Sequence, residues 1–585
     1  MLMKKSKTFQ NIKKMMKPNI KTIIIVTLLA IVVNIGEIIK PYIIKIIIDD
    51  YISLGVWEKG AVTIGILGVI YIGIVLIGNI IDFISQTATN RMGEKIIYQI
   101  RNDLYRYIEN ANISFHDKTP AGTLFVRITN DVEDISALFK DVITTFFKDI
   151  IMIIAILGIM IYISTKLSLL TFLLLPFIIF TSYIITKIIN KVYEYSKVVR
   201  TKVNVFLAES IYGVRLIKIF NRQYEKQKEC EKLNEEFWRS RLPIGFFTGI
   251  LPAVMTILEN LGISIVIWAC VDKWFGIQIE VGVLYVFITY IKQIFEPINR
   301  IIENIETVQD SFVSIDKIYE ILDHKEYLED LEKGEKLEEI KGKIEFKNVW
   351  FAYEDENWVL KDVSFVIEPG QSIALVGKTG SGKTTITNLI NRFYEIQKGE
   401  ILIDGKNIKE INIHSLRQKI GTILQDPFIF AKSVRENIEL NKKIEDEELE
   451  KAIEFASAEE FIHSLPKGLD EIAKEQGSSY SAGQKQLIAF ARIFAHNPSI
   501  FILDEATANI DTNTEQLIQK SIDEISKNKT SIFIAHRLST IVNVDKIIVL
   551  DHGTIIEQGN HTQLLKTGGY YSKLYQAYYT SLAAT

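Results

Sequence analysis

Apolar residues are distributed unevenly along this chain. Up to about residue 305 they form long runs rich in Ile, Leu and Val, whereas beyond about residue 340 the pattern is that of a soluble α/β domain. Six runs reach the roughly 20 residues that a helix needs to cross a bilayer. A single run of this kind also suits a buried helix of a soluble protein, but six in succession favour a membrane protein. We predict spanning helices near Ile20–Ile44, Ala61–Ile84, Val142–Ile163, Leu167–Ile188, Ile244–Val271 and Val281–Ile302.

The loops between these helices predict their orientation. The second and fourth loops hold about seven and about a dozen Lys and Arg residues, the other loops are short with few, and basic residues favour the cytoplasmic side. The segment before the first helix is also basic, with lysines at positions 4, 5, 7, 13, 14 and 17. The N-terminus, both long loops and the C-terminal domain are therefore predicted to be cytoplasmic, as an even number of spans requires.

The long loops are not polar linkers. Apolar residues recur at helical spacing over Glu94–Asn110 and Val192–Phe237, which predicts that spanning helices continue into the cytoplasm. Pro and Gly within Lys118–Gly122 predict a turn. The net charge of −4 does not indicate a nucleic-acid-binding protein. The two cysteines, Cys230 and Cys270, do not have the spacing of metal ligands. The first apolar run is too long for a cleaved signal peptide.

One Gly-rich segment carries the clearest chemistry. Residues Gly377–Thr384 read GKTGSGKT, between a predicted strand at Ser372–Val376 and a predicted helix at Thr385–Phe393. The backbone N–H groups of such a turn, together with the helix dipole, form a cradle for a triphosphate. In this motif the lysine reaches the β- and γ-phosphates and the final Thr ligates Mg²⁺. The predicted nucleotide contacts here are Gly377, Lys378, Thr379, Gly380, Ser381, Gly382, Lys383, Thr384 and Thr385.

A second apolar strand ends in two acidic residues. Ile500–Leu503 is followed by Asp504 and Glu505. Open α/β sheets hold their ligands at the carboxyl ends of their strands, which is where these side chains would lie. We predict that Asp504 holds Mg²⁺ and that Glu505, pointing elsewhere, polarises the attacking water.

These motifs resemble the nucleotide-binding domain of ABC transporters. Tyr480–Gln484, with the sequence YSAGQ, stands where that family has its Leu-Ser-Gly-Gly-Gln signature. Gln425 matches the Q-loop, Ala506–Asp511 the D-loop and His536 the switch histidine. Tyr353 precedes the Gly-rich loop at the distance expected of the aromatic residue that stacks on adenine.

The membrane half resembles the same family. Residues 115–122 and 129–131 are similar to the first intracellular loop of ABC exporters, and residues 209–213 and 218–220 to the second. The whole chain is therefore similar to an exporter half-transporter. The expected fold is an all-α, six-helix transmembrane domain with long cytoplasmic helical extensions, followed by an α/β P-loop ATPase domain. The predicted limits are 1–19 for a cytoplasmic segment, 20–325 for the transmembrane domain, 326–341 for a linker and 342–585 for the nucleotide-binding domain.

The resemblance implies that two chains enclose two ATP molecules between their nucleotide domains. The implied catalytic residues are Glu505, His536, Gln425 and Lys383, and the implied Mg²⁺ ligands are Thr384, Gln425 and Asp504. Each ATP would also contact Ser481, Gly483 and Gln484 of the opposite chain. ATP would hold the lobes together, and its hydrolysis would release them and drive the membrane helices through the long loops.

The second chain is predicted to differ from this one. Ala482 replaces the first signature glycine and Tyr480 the leucine, while Glu505 is retained. This combination resembles the subunit of heterodimeric multidrug exporters that brings the catalytic carboxylate, so one competent and one degenerate ATP site are expected. A homodimer that tolerates the alanine, acting as an exporter or lipid flippase, is the alternative. A channel or regulatory subunit is a further alternative, although Glu505 and His536 favour an ATP-consuming cycle. Import is disfavoured, since importers of most ABC families keep the two domains on separate chains.

The cargo is the least determined property. A lipophilic or amphipathic compound is expected, with peptide export as an alternative. Glu37, Lys40 and Glu259 fall inside predicted spans, where charge is costly and normally faces a bundle interior or a wet cavity. For Glu37 and Lys40, three residues apart, a substrate pathway and a structural pair both stay open.

Overall fold

A computed structural model describes most of the chain. The described residues are 2–55, 60–271, 280–324, 327, 330, 333–354, 356–504, 512–527, 529–534 and 541–582. By their contacts they form two units, one comprising Met1–Glu109 and Pro120–Lys325, the other Asn110–Thr119 and Glu326–Thr585. Neither hydropathy nor any motif grouped residues 110–119 with the C-terminal half.

The first unit contains the predicted spanning helices. Within the described part of the chain, six helical segments are long and apolar enough to cross a membrane. The first to sixth spanning helices are Ile20–Ile46, Ala61–Asn110, Thr144–Ile163, Thr165–Phe172 with Leu175–Tyr212, Gln223–Val271 and Val281–Glu303. The prediction of six spans is confirmed.

The predicted helical extensions are also present. The second helix is continuous over 50 residues and the fifth over 49, so each runs well beyond a bilayer-spanning length. The fourth is interrupted where the sequence predicted one uninterrupted span: the helix Thr165–Phe172 ends before Leu175–Tyr212 begins. Pro176 lies in the first turn of the helix Leu175–Tyr212, where its missing N–H is tolerated. In the middle of one continuous helix, the same proline would remove a backbone hydrogen bond and break the helix.

Shorter helical segments complete the first unit. An N-terminal helix precedes the first span, π-helical turns occur at both sides of the bundle, and a further helix follows the sixth span. These segments are Leu2–Met16, Ile47–Ile52, Ala121–Val126, Arg127–Asp131, Val132–Ala137, Leu138–Ile143, Val214–Ile219 and Ile305–Leu322.

The helices of the first unit pack around the sixth spanning helix. Phe287, Tyr290 and Ile291 are almost completely buried, and the Tyr290 hydroxyl donates to the carbonyl of Ile38 at 2.7 Å. By contrast, none of the most apolar window of the second helix is buried in this chain. That surface is therefore left for lipid or for another chain.

The second unit is built on two sheets. A six-stranded sheet has the order β10-β9-β3-β8-β7-β6, and a four-stranded antiparallel sheet has the order β2-β1-β4-β5. The strands are Ile344–Ala352 (β1), Trp358–Ile367 (β2), Ser372–Val376 (β3), Lys398–Ile403 (β4), Lys406–Asn407 (β5), Ile420–Ile423 (β6), Ile500–Asp504 (β7), Thr530–Ile534 (β8), Lys546–Asp551 (β9) and Thr554–Gly559 (β10).

Both faces of the larger sheet are buried, which explains its uninterrupted apolar runs. Strands β9, β3, β8, β7 and β6 are parallel, and only β10 is antiparallel. In β7, Phe501 and Leu503 enter one core cluster while Ile500 and Ile502 enter the other. Parallel strands covered on both sides read as continuous apolar segments rather than alternating ones.

The second unit also contains helices. Within the described residues these are Ile113–Lys118, Lys383–Ile390, Ile413–Lys419, Val434–Glu439, Asp446–Phe455, Glu459–Ser464, Ala482–His496, Thr512–Ser526, His561–Thr567 and Tyr570–Leu582. The predicted fold class is confirmed: helices long enough to span a membrane precede an α/β domain. The exact domain limits drawn from the sequence stay a prediction.

Candidate nucleotide-binding site

The Gly-rich loop joins β3 to the helix Lys383–Ile390, as predicted. Gly380 has a φ of +83° and Gly382 a φ of +103°, a region that side-chain-bearing residues rarely adopt. A Cβ on Gly382 would lie 2.6 Å from Leu360 Cδ2. The glycines therefore permit a loop that turns tightly before the helix begins.

Polar groups inside this loop are arranged for an anion. The Lys383 side chain is only 5% exposed, and its ammonium donates to the carbonyls of Gly377 at 2.8 Å and Lys378 at 3.0 Å. The buried Ser381 hydroxyl has no hydrogen-bond partner among the described residues. Leaving such a group unsatisfied costs about 1–3 kcal/mol. A phosphate oxygen accepting from this hydroxyl would remove that cost, so the loop fits the triphosphate of ATP.

The parallel sheet brings the predicted metal ligands to one edge. Asp504 pairs with Ile534 of β8, and Ile534 is also opposite Leu375 of β3, so the carboxylate is level with the start of the Gly-rich loop. Gln425 is exposed two residues beyond β6, which pairs in parallel with β7. Both side chains thus follow strand ends at the same edge of the sheet.

The donor chemistry of this set suits Mg²⁺. Thr384 is exposed in the first turn of its helix, so a hydroxyl, the Asp504 carboxylate and the Gln425 amide supply oxygen atoms, which Mg²⁺ prefers. Mg²⁺ is usually held by one or two carboxylates together with substrate phosphates, and Asp504 is the carboxylate that this set offers. The individual roles of these ligands stay predictions.

Tyr353 lies beside the Gly-rich loop. Its hydroxyl is 3.1 Å from the Thr385 hydroxyl, and its ring makes edge contacts with Phe351 and Tyr394 at centroid distances of 4.9 and 5.0 Å. The side chain stays 42% exposed. An exposed ring fixed at this position is what stacking on adenine needs, although the role itself stays a prediction.

The signature residues form the start of the helix Ala482–His496. The Ser481 hydroxyl accepts from the backbone N–H of Gln484 at 3.2 Å, and the Gln484 side chain accepts from the N–H of Ser481 at 2.9 Å. This capping box fixes the helix terminus, and Gly483 is buried next to it. Ala482 is exposed in the first turn.

Tyr480 has a structural role in this chain. It packs against the core cluster beside the sheet, with its ring edge-on to Phe461 at 5.6 Å. Replacement of the signature leucine by tyrosine therefore keeps a large ring in a partly buried place, but it also buries a hydroxyl that has no hydrogen-bond partner among the described residues.

Some predicted residues lie outside the described part of the chain. These are Glu505, the segment 506–511 and His536. The strands that lead to them are described, because β7 ends at Asp504 and β8 at Ile534. Their catalytic roles accordingly stay predictions.

The structure adds a residue that the sequence did not single out. The Tyr394 hydroxyl donates to Asp117 in the helix Ile113–Lys118. Burial, and then the hydrogen bond to the Asp117 carboxylate, raise the pKa of Tyr394. The Tyr353 ring touches Tyr394, so two contacts connect Tyr353 to the intracellular-loop segment. No motif marks Tyr394, and only its place next to Phe393 in an aromatic turn distinguishes it.

The first unit holds a polar cavity that the sequence analysis also missed. Its volume is about 370 Å³, and charged side chains of the second, third and sixth spanning helices line it. Asp82 pairs with Lys148 at 2.7 Å, and Asp149, only 1% exposed, pairs with Arg300 at 2.6 Å. Elsewhere in the bundle Glu37 and Lys40 form an ion pair at 2.6 Å.

Comparison with known proteins identifies both halves. Residues 23–298 match the family described as ABC transporter transmembrane region, and residues 360–508 match the family described as ABC transporter. The chain is 34% identical to an uncharacterized ABC transporter ATP-binding protein, YknV, of Bacillus subtilis, over 97% of this chain and 93% of that protein. It is 36% identical to YheH of the same organism, described as a probable multidrug resistance ABC transporter ATP-binding/permease protein, over 84% of this chain and 73% of YheH.

A solved structure has the same architecture. A bacterial Atm1-family ABC exporter with ATP bound superimposes with a TM-score of 0.79 and 25% sequence identity, covering 96% of this chain and 98% of the exporter chain. Together with the six membrane-crossing helices and the P-loop domain, these matches show that the chain belongs to the ABC transporter family, as an exporter half-transporter that couples ATP hydrolysis to transport.

Proposed function

We propose that this chain exports lipophilic or amphipathic compounds across the cytoplasmic membrane by alternating access, as one half of a dimeric transporter. The observation that carries the proposal is the anion cradle at Gly377–Thr384, with its buried lysine and unsatisfied Ser381 hydroxyl, in a chain with six spanning helices. The N-terminus and the nucleotide domain lie in the cytoplasm in this proposal, because the basic residues concentrate there.

Each site residue has a proposed role in ATP hydrolysis. Lys383 and the loop N–H groups bind the β- and γ-phosphates, and Tyr353 stacks on adenine. Glu505 accepts a proton from the attacking water, and His536 contacts the γ-phosphate. Gln425 positions the water and the metal ion. These groups position the reactants and stabilise the negative charge that develops as the terminal phosphoanhydride bond breaks. Positioning and electrostatic stabilisation account for most of the catalysis of phosphoryl transfer.

Mg²⁺ is the proposed cofactor, held by Thr384, Gln425 and Asp504. When bound, it neutralises charge that develops on the phosphate oxygens. The three side chains would hold the ion in position, and Asp504 is itself held in place because it is the last residue of β7. Conversion of Asp504 to Asn should weaken the Mg²⁺ dependence of hydrolysis while leaving the fold of the strand intact.

The second chain is proposed to be a different half-transporter. The exposed Ala482 presents a methyl group at the start of the signature helix, where a glycine would allow the closest approach of phosphate. This chain would contribute Glu505 to a competent site, and its own signature to a slower one. The homodimer is the alternative, since alanine is the smallest departure from glycine.

Purification of this chain alone distinguishes the two assemblies. A heterodimer predicts little ATPase activity from this chain by itself and full activity after co-expression with its partner. Robust activity that is stimulated by drugs or lipids in the sample without a partner would show that the homodimer is the working form.

The cargo is proposed to carry both apolar and polar groups. The spanning helices supply apolar surface, while the polar cavity holds balanced pairs such as Asp82 with Lys148. The description of YheH as a multidrug resistance transporter supports this class of cargo. A panel of dyes, lipids and peptides tested for ATPase stimulation would narrow the choice.

Proteoliposomes containing the assembled transporter test the export function. ATP should drive uptake of a fluorescent amphiphile into inside-out vesicles, and Glu505→Gln should abolish both hydrolysis and uptake while ATP stays bound. Lys383→Ala should abolish both by preventing nucleotide binding. Uptake that persists in the Lys383 variant would refute the proposal, and an ion current prolonged by Glu505→Gln would indicate a gated pore instead.

A further inference from the structure

An apolar cavity lies beneath the N-terminal helix, outside the nucleotide site and next to the Asp149–Arg300 ion pair, since Asp149 is one of its lining residues. Its volume is about 820 Å³, and it lies between three segments: the helix Leu2–Met16, the run from Leu138 into the start of the third spanning helix, and the helix Ile305–Leu322. Phenylalanines from all three segments line it: Phe9, Phe146, Phe147 and Phe312. A cavity of this size accommodates a small organic ligand or part of a larger one.

The N-terminal helix is fixed in place over the cavity. The Thr8 hydroxyl donates to Asp316 at 2.6 Å, Lys7 pairs with Asp323 at 2.9 Å, and the Phe9 ring meets Phe312 edge-on at 5.8 Å. Ile12 and Met15 are buried by the same packing. The cavity is thus a feature of a docked helix rather than of a loose segment.

Charge in the lining is unbalanced. Two charged side chains take part, Lys13 and Asp149. Asp149 is neutralised by Arg300 at 2.6 Å, whereas Lys13 is exposed and has no ion pair or hydrogen bond within the described ranges. An apolar cavity with one uncompensated ammonium at its margin matches a molecule that has an apolar tail and a single anionic head.

The location of the cavity also indicates which class of ligand it binds. Leu2–Met16 directly precedes the first spanning helix, and the third spanning helix begins at Thr144, so the cavity lies near a boundary between membrane and water. Phe9 is 61% exposed and Phe147 43% exposed, so the lining is open to its surroundings. Helices rich in lysine at this level attract anionic lipids.

From these observations we infer that the cavity binds an anionic membrane lipid. An acyl chain would occupy the space between Phe9, Phe146 and Phe312, and the phosphate of the headgroup would pair with Lys13. Such a lipid would join the N-terminal helix to the helix Ile305–Leu322, which follows the sixth span. This site is independent of the nucleotide site, and its occupancy can be measured without ATP.

The test uses the full-length chain in detergent, titrated with phosphatidylglycerol or phosphatidylcholine bearing identical acyl chains, with bound lipid counted by native mass spectrometry. Phosphatidylglycerol should bind more tightly. Lys13→Gln should weaken it by about fivefold, the contribution of one lysine near a lipid surface. Lys14→Gln is the matched control, because it removes the same charge from the neighbouring residue, which does not line the cavity, and it should leave the affinity unchanged.

Filling the cavity provides an independent measurement. Val308→Trp places a large side chain in the lining and should abolish tight binding of phosphatidylglycerol, and Val142→Trp should do the same from another segment of the lining. Monodisperse chromatography and a thermal midpoint close to that of the wild type report that each variant is folded. Equal weakening by Lys13→Gln and Lys14→Gln would indicate diffuse surface attraction and overturn the inference. Undiminished binding in both folded tryptophan variants, or equal affinity for the two lipids, would overturn it as well.

Discussion

Removal of the Arg300 guanidinium would leave the Asp149 carboxylate unpaired inside the helix bundle. The two side chains meet at two points: Nη2 lies 2.6 Å from Oδ1, and Nε lies 3.3 Å from Oδ2. Asp149 is 1% exposed, so only water that enters the polar cavity it lines could replace the lost partner. Breaking a buried pair by deleting one member destabilises a protein by about 3–5 kcal/mol.

A double-mutant cycle separates the cost of leaving Asp149 unpaired from the net contribution of the ion pair to the free energy of unfolding. Arg300→Met should lower the thermal midpoint of the purified chain by about 5–8 °C, taking ~1.5 °C per kcal/mol from an unfolding entropy of ~2.1 cal/mol/K per residue over roughly 300 residues of the first unit. Asp149→Leu together with Arg300→Met should recover most of the loss, because apolar replacement of a complete buried pair is often neutral or stabilising.

The assay is thermal unfolding in detergent, followed by circular dichroism and by light scattering. The matched control is Lys202→Gln, which breaks the exposed pair with Glu236 at 3.2 Å and should change stability by less than about 1 kcal/mol. Unfolding of Arg300→Met at the wild-type temperature, or a double variant no more stable than the single one, would show that the pair does not carry this buried-charge penalty.

Three further predictions concern the second unit. Gly382→Ala should abolish ATP binding, measured with a fluorescent nucleotide. The alanine would have to adopt a backbone φ of +103°, and its Cβ would lie 2.6 Å from Leu360 Cδ2. Tyr394→Phe deletes the hydrogen bond to Asp117 but keeps the ring, so transport per ATP hydrolysed should fall by about fivefold, equivalent to ~1 kcal/mol, with basal ATPase activity retained; equal coupling in variant and wild type would contradict a role for this contact. Burial lowers the pKa of Lys529 from 10.5 to about 8. The unfolded chain therefore binds more protons between those pH values, and stability should rise as the pH increases through that window. Lys529→Met should remove this rise, so the difference in thermal midpoint between variant and wild type should change between pH 7 and pH 10.5; a constant difference would show that the lysine titrates normally.

Much of the architecture was predictable because it is encoded locally. A helix that crosses a bilayer must be apolar along its whole length, so the run Ala61–Ile84 predicted a span without reference to any other segment. The Gly-rich loop was predictable for a related reason. Left-handed backbone at Gly380 and Gly382 restricts the residue type at those positions, and the flanking strand and helix are short-range features.

Other features depended on which surfaces meet across long separations in sequence. The pairing of Asp149 with Arg300 joins residues 151 positions apart, and periodicity gives no indication of which of several intramembrane charges will pair. Tyr394 meets Asp117 only because the helix Ile113–Lys118 belongs to the nucleotide-binding unit, a grouping that hydropathy does not reveal.

The sequence by itself thus determined the membrane spans, the class of the C-terminal domain and the loop that receives phosphate, because each is set by the period of apolar residues or by the conformational freedom of glycine. The tertiary structure alone decided that β8 lies between β3 and β7, that the buried charges are paired and that the N-terminal helix covers an apolar cavity. These outcomes depend on strand order and helix packing, in which side chains far apart in sequence compete for the same neighbours.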